Sequence, residues 1–255
     1  LACSNADGKI YEWQLNTSTI AAVLSNAPTG NTAIMVTDER FVFALGAGGN
    51  PRKIQWSDRE NNNLWAAAAT NEAGSIELQT SGVIQCGVRV QNQALILTTT
   101  DAHTATYSGP PYVYGVERVG TSCGCVSAQG VAVVDMGAVW MGRESFFVYS
   151  GGTVQELASD VSDYIYSDIN VAQMSKIVAV SNAKFSEIRW FYPSAESTEN
   201  NRYVAFNYQE NTWTIGQIAR TAAADAGVYR YPIYASPTDK KLYEHEVGFN
   251  YDTLT

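Results

Sequence analysis

Short apolar runs separated by tight turns are the feature that most constrains this chain. Between residues 131 and 157, four such runs follow one another, and β-branched and aromatic side chains fill them. The breaks between them are Asp135-Met136-Gly137, Gly142-Arg143-Glu144 and Ser150-Gly151-Gly152, whose glycines tolerate the positive φ of tight turns. Runs this short, joined by two or three residues, must be neighbours in space. The segment therefore predicts an antiparallel meander, which we take as the unit of the fold.

Similar strand-rich groups recur along the chain. They lie at residues 32–45 with 53–65, 82–99 with 104–118, and 184–192 with 203–216. Together with the meander at 131–157, these groups follow one another at roughly 40–50 residues, which is the period of four-stranded propeller blades. A propeller protects its sheet edges by packing blades radially, whereas a sandwich stacks two sheets. The sequence therefore predicts an all-β fold, a β-propeller of antiparallel four-stranded blades, with a β-sandwich as the alternative.

Tryptophans near the ends of the hairpin groups are expected to act as wedges between blades. They are Trp13, Trp56, Trp140, Trp190 and Trp213.

The chain begins with Leu1 rather than Met, and the hairpin pattern is cut at both ends. We therefore expect residues 1–255 to form a single β-propeller-like domain that is part of a longer polypeptide, whose other residues complete the blades.

One internal echo links the two ends of the sequence. Residues 7–13 (DGKIYEW) and 239–245 (DKKLYEH) share Asp, Lys, a branched aliphatic residue, Tyr and Glu in the same order. Helix signals are scarce. Ser159 and Asp160 could cap a short helix between two blades, and residues 222–224 have helical propensity, although Gly227 follows too soon to support a helix.

The charge balance bears on possible polymeric ligands. The formal net charge of −9 argues against a protein that grips phosphates along a basic groove. It fits an ordinary hydrated surface, or a channel wall that does not retain an acidic polymer.

One local basic patch, Arg52-Lys53 with Trp56 and Arg59, has the Arg–Trp pairing that single-stranded nucleic acid favours. In so acidic a chain, we interpret this patch as a solvated rim or a subunit contact.

Carboxylates that could serve as acid and base lie in turns. Asp58 and Glu60, and likewise Asp160 and Asp163, sit among Asn and Ser residues, where carboxylates commonly cap backbone N–H groups. Asp160, Asp163 and Asp168 could suggest calcium, but they lack a loop with Gly at the required bend. The sequence therefore predicts no catalytic residue and no enzyme.

The remaining signals for chemistry are equally weak. Residues 46–49 are glycine-rich but lack the Lys-Ser/Thr of a phosphate loop. The cysteines and histidines have neither zinc-ligand nor catalytic-triad spacing: Cys3, Cys86, Cys123, Cys125, His103 and His245. We therefore predict no metal site and no cofactor. No apolar run approaches the ~18 residues of a membrane span.

Four segments together resemble the β-propeller tail proteins of short-tailed bacteriophages, the nozzle and packaged-DNA-stabilisation proteins. The first segment is PRKIQWSD at 51–58 with Trp65, and the second is ALILTT at 94–99 followed by TYSG at 106–109. The third is WMGRESFFVYSGG at 140–152. The fourth combines RWFYP at 189–193, YVAFNY at 203–208 and NTW at 211–213. The resemblance covers roughly residues 40 to 216.

The resemblance implies a structural role in the virion, in the phage tail. Members of that family form a homo-oligomeric ring, typically a hexamer, that retains packaged DNA and lets it leave at infection. DNA would pass through the lumen without sequence-specific binding, and other tail proteins, such as an adaptor and a tail fibre or spike, would dock outside. The net charge of −9 suits such a lumen, because a negative wall repels phosphates.

Two other hypotheses come from different functional classes. Fifteen Tyr, six Trp and several Asn-rich loops also suit a carbohydrate-binding β-propeller, because sugars stack on aromatic rings and bond to Asn and Asp. A hydrolytic propeller using Asp58 or Asp160 ranks well behind. We therefore expect a tail nozzle or head-closure protein, with carbohydrate binding as the alternative.

Overall fold

The structure, a computed structural model, describes residues 1–227 and 229–248. Its strands form six antiparallel sheets, each made of strands that are consecutive in sequence. The fold is therefore an all-β β-propeller with six antiparallel blades, as the sequence predicted. Four of the blades have four strands, and the first and the last described sheets have three.

The first three sheets lie in the N-terminal half of the chain. Their strands are β1 (Ala2–Cys3), β2 (Ile10–Glu12) and β3 (Ala22–Val23); β4 (Ala33–Val36), β5 (Val42–Leu45), β6 (Lys53–Trp56) and β7 (Gly74–Glu77); and β8 (Ile84–Val90), β9 (Gln93–Thr98), β10 (Asp101–Gly109) and β11 (Val113–Thr121). A single-turn 3-10 helix at Ala47–Gly49 interrupts the connection between β5 and β6.

The other three sheets follow the same scheme. Their strands are β12 (Val131–Val134), β13 (Gly137–Met141), β14 (Phe146–Ser150) and β15 (Thr153–Leu157); β16 (Val178–Asn182), β17 (Glu187–Tyr192), β18 (Arg202–Asn207) and β19 (Thr212–Gly216); and β20 (Ala222–Ala224), β21 (Ile233–Ala235) and β22 (Leu242–Glu244). Helix α1 (Ser162–Asp168) and 3-10 helices at Val171–Lys176 and Ala183–Phe185 lie between strands.

The meander predicted at residues 131–157 is confirmed. Its four runs become β12 to β15, in the sheet order β12-β13-β14-β15. The first strands of the four-stranded sheets begin at residues 33, 84, 131 and 178, which are 51, 47 and 47 residues apart. The repeat therefore follows the predicted blade period closely.

The described residues divide into two compact units, residues 1–128 with 147–156, and residues 129–146 with those from 157 onward. In the first unit, Trp56 of β6 packs against Phe43 of β5 and Tyr114 of β11, with ring centroids 5.8 and 5.5 Å away. Because Tyr114 belongs to the next sheet, Trp56 is a wedge between blades, as predicted.

In the second unit, Trp190 of β17 is fully buried. Its ring centroid lies 5.0 Å from that of Phe146 and 6.2 Å from that of Trp213. The prediction of a wedge is wrong for Trp13, which is 42% exposed. The Trp13 indole N–H donates to the carbonyls of Asn16 and Thr19, so this side chain closes its own loop.

The short helix expected between two blades is present as α1, but its cap differs from the expectation. Helix α1 begins at Ser162, and its N-cap position is Val161, which makes no side-chain capping bond. The Ser159 hydroxyl instead accepts the Val161 N–H at 3.3 Å, so it stabilises the preceding loop. Residues 222–224, whose helical propensity alone did not support a helix, form strand β20, because they pair along their length with β21.

The two similar segments, residues 7–13 and 239–245, form the same turn. In the first copy, Asp7 Oδ1 accepts the Lys9 N–H at 3.1 Å, and Asp7 Oδ2 accepts the Tyr11 hydroxyl at 3.2 Å. Gly8, at φ 61°, donates its N–H to the Ser4 carbonyl. The Lys9 amide is the main reason that the pKa of Asp7 falls to about 2.

The second copy repeats these contacts between β21 and β22. Asp239 accepts the Lys241 N–H at 3.4 Å and the Tyr243 hydroxyl. Lys240, at φ 60°, donates its N–H to the Ser236 carbonyl at 3.1 Å. The same residue pattern therefore builds the same turn twice, once in each unit.

Candidate functional site

The acidic residues singled out in the sequence have structural partners in several cases. Asp58 Oδ1 accepts the Glu72 N–H at 2.8 Å, and Glu60 pairs with Arg40 at 2.9 Å. Asp168 pairs with Arg202 at 3.1 Å. Asp163 lies in the first turn of α1, where a negative charge is favourable. These contacts support the interpretation that the carboxylates organise turns.

The basic patch around Arg52 does not present a platform for nucleobases. The Arg52 guanidinium pairs with Glu77 at 2.7 Å, which offsets its charge. Trp56 is buried, and its indole N–H donates to the Glu72 carbonyl at 2.9 Å. Because bases stack only on accessible rings, the patch is better suited to a solvated rim or a subunit contact.

None of the four cysteines forms a disulfide, and three of them, Cys86, Cys123 and Cys125, are buried. A hydrogen bond that the Cys86 thiol donates to Cys125, together with burial, raises the pKa of Cys86 well above its usual value. Among the residues that the structure describes, no three His, Cys, Asp or Glu side chains are grouped so that they could hold a metal ion. In the same part of the chain, no helix has the length and apolar character needed to cross a membrane.

His103 belongs to a buried polar cluster that the sequence did not reveal. The cluster is centred on Asp101, whose Oδ1 accepts the Thr98 and Thr80 hydroxyls at 2.5 and 2.9 Å. Nε2 of His103 lies 3.2 Å from the same oxygen. These residues are nearly inaccessible to solvent, so the cluster serves the interior of the first unit.

The main candidate site is an open groove of about 650 Å³ in the second unit, which we call the turn groove. Three connections form it: the β12–β13 turn, the segment between β16 and β17, and the β18–β19 turn. Its lining residues are Val133, Val134, Asp135, Met136, Ser181, Ala183, Ser186, Tyr208 and Gln209.

Local hydrogen bonds fix the wall that carries Tyr208. The Tyr208 N–H donates to the carbonyl of Ser186 at 2.9 Å. The Ser186 hydroxyl donates to Oε1 of Gln209 at 3.2 Å. Asn207 Oδ1 accepts the N–H groups of Gln209 and Glu210 at 3.0 and 2.9 Å, which makes an Asx turn. The aromatic side of the groove is therefore held in a defined position.

Asp225 holds the part of the groove that residues 181–183 form. Its Oδ2 accepts the Ala183 N–H at 2.9 Å and lies 3.5 Å from the Ser181 hydroxyl. Its Oδ1 accepts the N–H of Ala226 at 2.7 Å. The segment at residues 181–183 is thus tied to the connection that follows β20.

The lining of the turn groove limits what it can bind. Among the described residues that line it, Asp135 is the one with a formal charge and Tyr208 is the one aromatic residue. These lining residues include no lysine or arginine, so they offer no counter-charge to phosphates and other anions. Serine hydroxyls and the Gln209 amide offer neutral hydrogen bonds beside the Tyr208 ring, an arrangement that suits an uncharged polar ligand.

Comparison with solved structures supports the fold. Hsv2 from Kluyvelomyces marxianus is similar with a TM-score of 0.51 at 8% sequence identity, over 92% of this chain and 65% of that one. Dihydro-heme d1 dehydrogenase NirN is similar with a TM-score of 0.50 at 11% identity, over 84% of this chain and 45% of that one. The AfRom2 CNH domain gives a TM-score of 0.48 at 11% identity, over 91% of this chain and 75% of that one.

These likenesses concern the fold alone. This chain spans less than two thirds of the length of Hsv2 and of NirN. No protein-family model matches the sequence, and no curated protein matches it either. Function must therefore be argued from the residues of this chain.

Proposed function

We propose that this chain is a structural protein of the virion of a short-tailed phage, part of a tail nozzle or head-closure ring. The observation that carries the proposal is the order of the four segments that resemble that family. In the structure they contribute β6, then β9 and β10, then β13 and β14, then β17 to β19. The resemblance thus follows successive blades of one architecture.

Two further observations are consistent with a structural role. Asp58, Glu60 and Asp168 are engaged in turn contacts and ion pairs. The net charge of −9 disfavours tight binding to DNA, and a ring through which DNA slides needs a surface that does not retain phosphates. The proposal places this chain in the phage tail, with other tail proteins as partners.

A ring-forming chain should assemble under conditions that favour subunit contacts. We expect native mass spectrometry and negative-stain microscopy of the 255-residue chain to show closed rings of several copies. We also expect duplex DNA to show no retention by these particles, even at low salt. A chain that stays monomeric at every concentration and ignores other tail proteins would contradict the proposal. Tight, salt-sensitive DNA binding would do so as well.

The turn groove favours a second candidate function, carbohydrate binding. Its neutral hydrogen-bonding groups and the Tyr208 ring match the way in which proteins hold a sugar, with one face stacked and the hydroxyls bonded. Asp135 adds an acceptor for sugar hydroxyls. This candidate concerns a binding activity and is compatible with a structural protein.

If the groove binds sugars, Tyr208→Ala should weaken binding by about two- to tenfold, because aromatic stacking contributes roughly 0.5–1.5 kcal/mol beyond buried area. A glycan array would find the ligand, and titration calorimetry would compare the variants. Tyr112→Ala is the matched control, because Tyr112 is 82% exposed and lies outside the groove. A blank array, or an equal loss in both variants, would remove this candidate.

A further inference from the structure

A polar cluster around Arg189 in the second unit holds a carboxylate. The Arg189 guanidinium lies 2.8 Å from Oε2 of Glu187 and 3.0 Å from Oε1 of Glu246. Asn182 Nδ2 donates to the same Glu246 oxygen at 3.1 Å. A guanidinium and an amide that converge on one oxygen form a typical carboxylate-binding arrangement.

The cluster has hydrogen-bonding capacity that Glu246 does not use. Asn182 and Tyr234 are fully buried. Among the residues that the structure describes, Asn182 Oδ1 and the Tyr234 hydroxyl have no hydrogen-bond partner. Such buried polar atoms are rare in proteins and call for an explanation. A ligand with better-placed oxygens would satisfy at least the hydroxyl.

Tyr234 is suited to donate a hydrogen bond to such a ligand. Burial is the main reason that its pKa is raised to about 12, and the charges of Glu246 and Asp225 act in the same direction. The phenol therefore keeps its proton at neutral pH. The charge of Arg189 and its polar contact with this hydroxyl act in the opposite direction and lower the pKa, so the phenol and the guanidinium lie close to each other.

Glu246 reaches the cluster from a short segment after β22. This segment begins at His245, whose ring stacks on Tyr234 with centroids 4.1 Å apart. Nε2 of His245 accepts the Arg220 Nε–H at 2.9 Å. Glu246 itself has φ 62°, a conformation that L-residues other than Asn and Asp seldom adopt. The segment that carries Glu246 is thus held in place by the side-chain contacts of His245.

We propose that Asn182, Arg189 and Tyr234 form a carboxylate-recognition site, which Glu246 of the chain itself fills in this structure. A carboxylate from outside, either a small carboxylate or an acidic side chain of a partner chain, can take its place. This inference is independent of the proposed phage role. Because Ser181 and Ala183 line the turn groove on either side of Asn182, the ligand of this site also supports one wall of that groove.

The charges at the site favour a monoanion. In the part of the chain that the structure describes, Arg189 is the one guanidinium in contact with the Glu246 carboxylate, and Glu187 already offsets part of its charge. Asp225 adds a further negative charge near the Tyr234 hydroxyl. A phosphate dianion would meet this excess of negative charge, whereas a carboxylate would replace Glu246 with no change in net charge.

Chemical rescue tests the site. Glu246→Ala should lower the melting temperature, and sodium acetate should restore about half of the loss or more, because a ligand that binds only the folded state stabilises it. Sodium chloride at the same ionic strength should have little effect. The matched control is the double variant Glu246→Ala with Arg189→Met, which should lose the acetate response. Equal shifts in acetate and chloride, or an undiminished response in the double variant, would overturn the proposal.

Two further measurements complete the test. Short peptides with a central Glu or Gln distinguish the sources: rescue by the Glu peptide supports an acidic partner chain, and rescue by acetate alone supports a small carboxylate. Hydrogen exchange on the unaltered chain covers the case in which Glu246→Ala fails to fold. Acetate should accelerate amide exchange at residues 242–248 severalfold as it displaces Glu246. Unchanged exchange there would count against the site.

Discussion

Replacing Trp190 by Ala is expected to lower the free energy of unfolding of the second unit by about 3–5 kcal/mol. The side chain is fully buried, and its ring lies against Phe146 and Trp213. Its indole N–H donates to the Gly130 carbonyl at 2.9 Å, so the substitution also removes one of two hydrogen bonds that this carbonyl accepts; the other comes from the Met141 N–H. The cavity and the lost hydrogen bond act in the same direction.

Urea unfolding followed by circular dichroism measures this loss. Trp13→Ala is the matched control, because Trp13 is largely accessible and bonds only to the carbonyls of its own loop. We expect the control to cost about 1 kcal/mol, the typical value of a hydrogen bond. Equal losses in the two variants would show that Trp190 is not a wedge on which the unit depends.

The fold could be predicted because its information is local and periodic. Four short runs and their turns specify one meander, and starts at residues 33, 84, 131 and 178 repeat it at nearly constant spacing. Turn chemistry is local as well. Asp7 and Asp239 each accept hydrogen bonds from the residues two and four positions later, so the similarity of the two segments could be recognised from sequence alone.

Local signals are insufficient where distant contacts override them. Residues 222–224 have helical propensity, but they pair with β21 and form a strand. The sequence around Trp13 resembles that around the other tryptophans. No local pattern distinguishes a ring that packs between sheets from one that hydrogen-bonds within its own loop. The start of α1 at Ser162 likewise depends on Ser159 bonding to Val161, an alternative to capping.

The sites could not be predicted for the same reason. Asp135, Ser181 and Tyr208 lie on three separate connections, and only the folded chain places them along one groove. The carboxylate site joins Asn182 and Arg189 to Glu246, which is more than fifty residues away in sequence. No periodicity relates such positions, so the sequence carries no pattern that would indicate them.

Asp101→Ala is expected to destabilise the first unit by about 3 kcal/mol or more, since it removes the acceptor that the Thr98 and Thr80 hydroxyls share. His103 loses its charged neighbour too. Burial alone would raise the pKa of Asp101, but the hydrogen bonds from Thr98 and Thr80 and the charge of His103 outweigh it, and the pKa is lowered.

The lowered pKa gives the stabilisation a defined pH dependence. A carboxyl with a lower pKa in the folded state stabilises the fold above its unfolded pKa of about 4, and this contribution is lost as the pH falls through the folded value. Asp101→Asn should therefore lose stability at neutral pH and show a smaller further loss as the pH falls below about 4. Asp160→Asn is the matched control, because Asp160 is exposed, and it should change stability by less than about 0.5 kcal/mol. Acid protonates the Asp101 carboxylate of the unaltered chain, whereas the amide of Asp101→Asn does not titrate in this range. Parallel acid unfolding curves for the two proteins would therefore show that the carboxylate does not hold this cluster together.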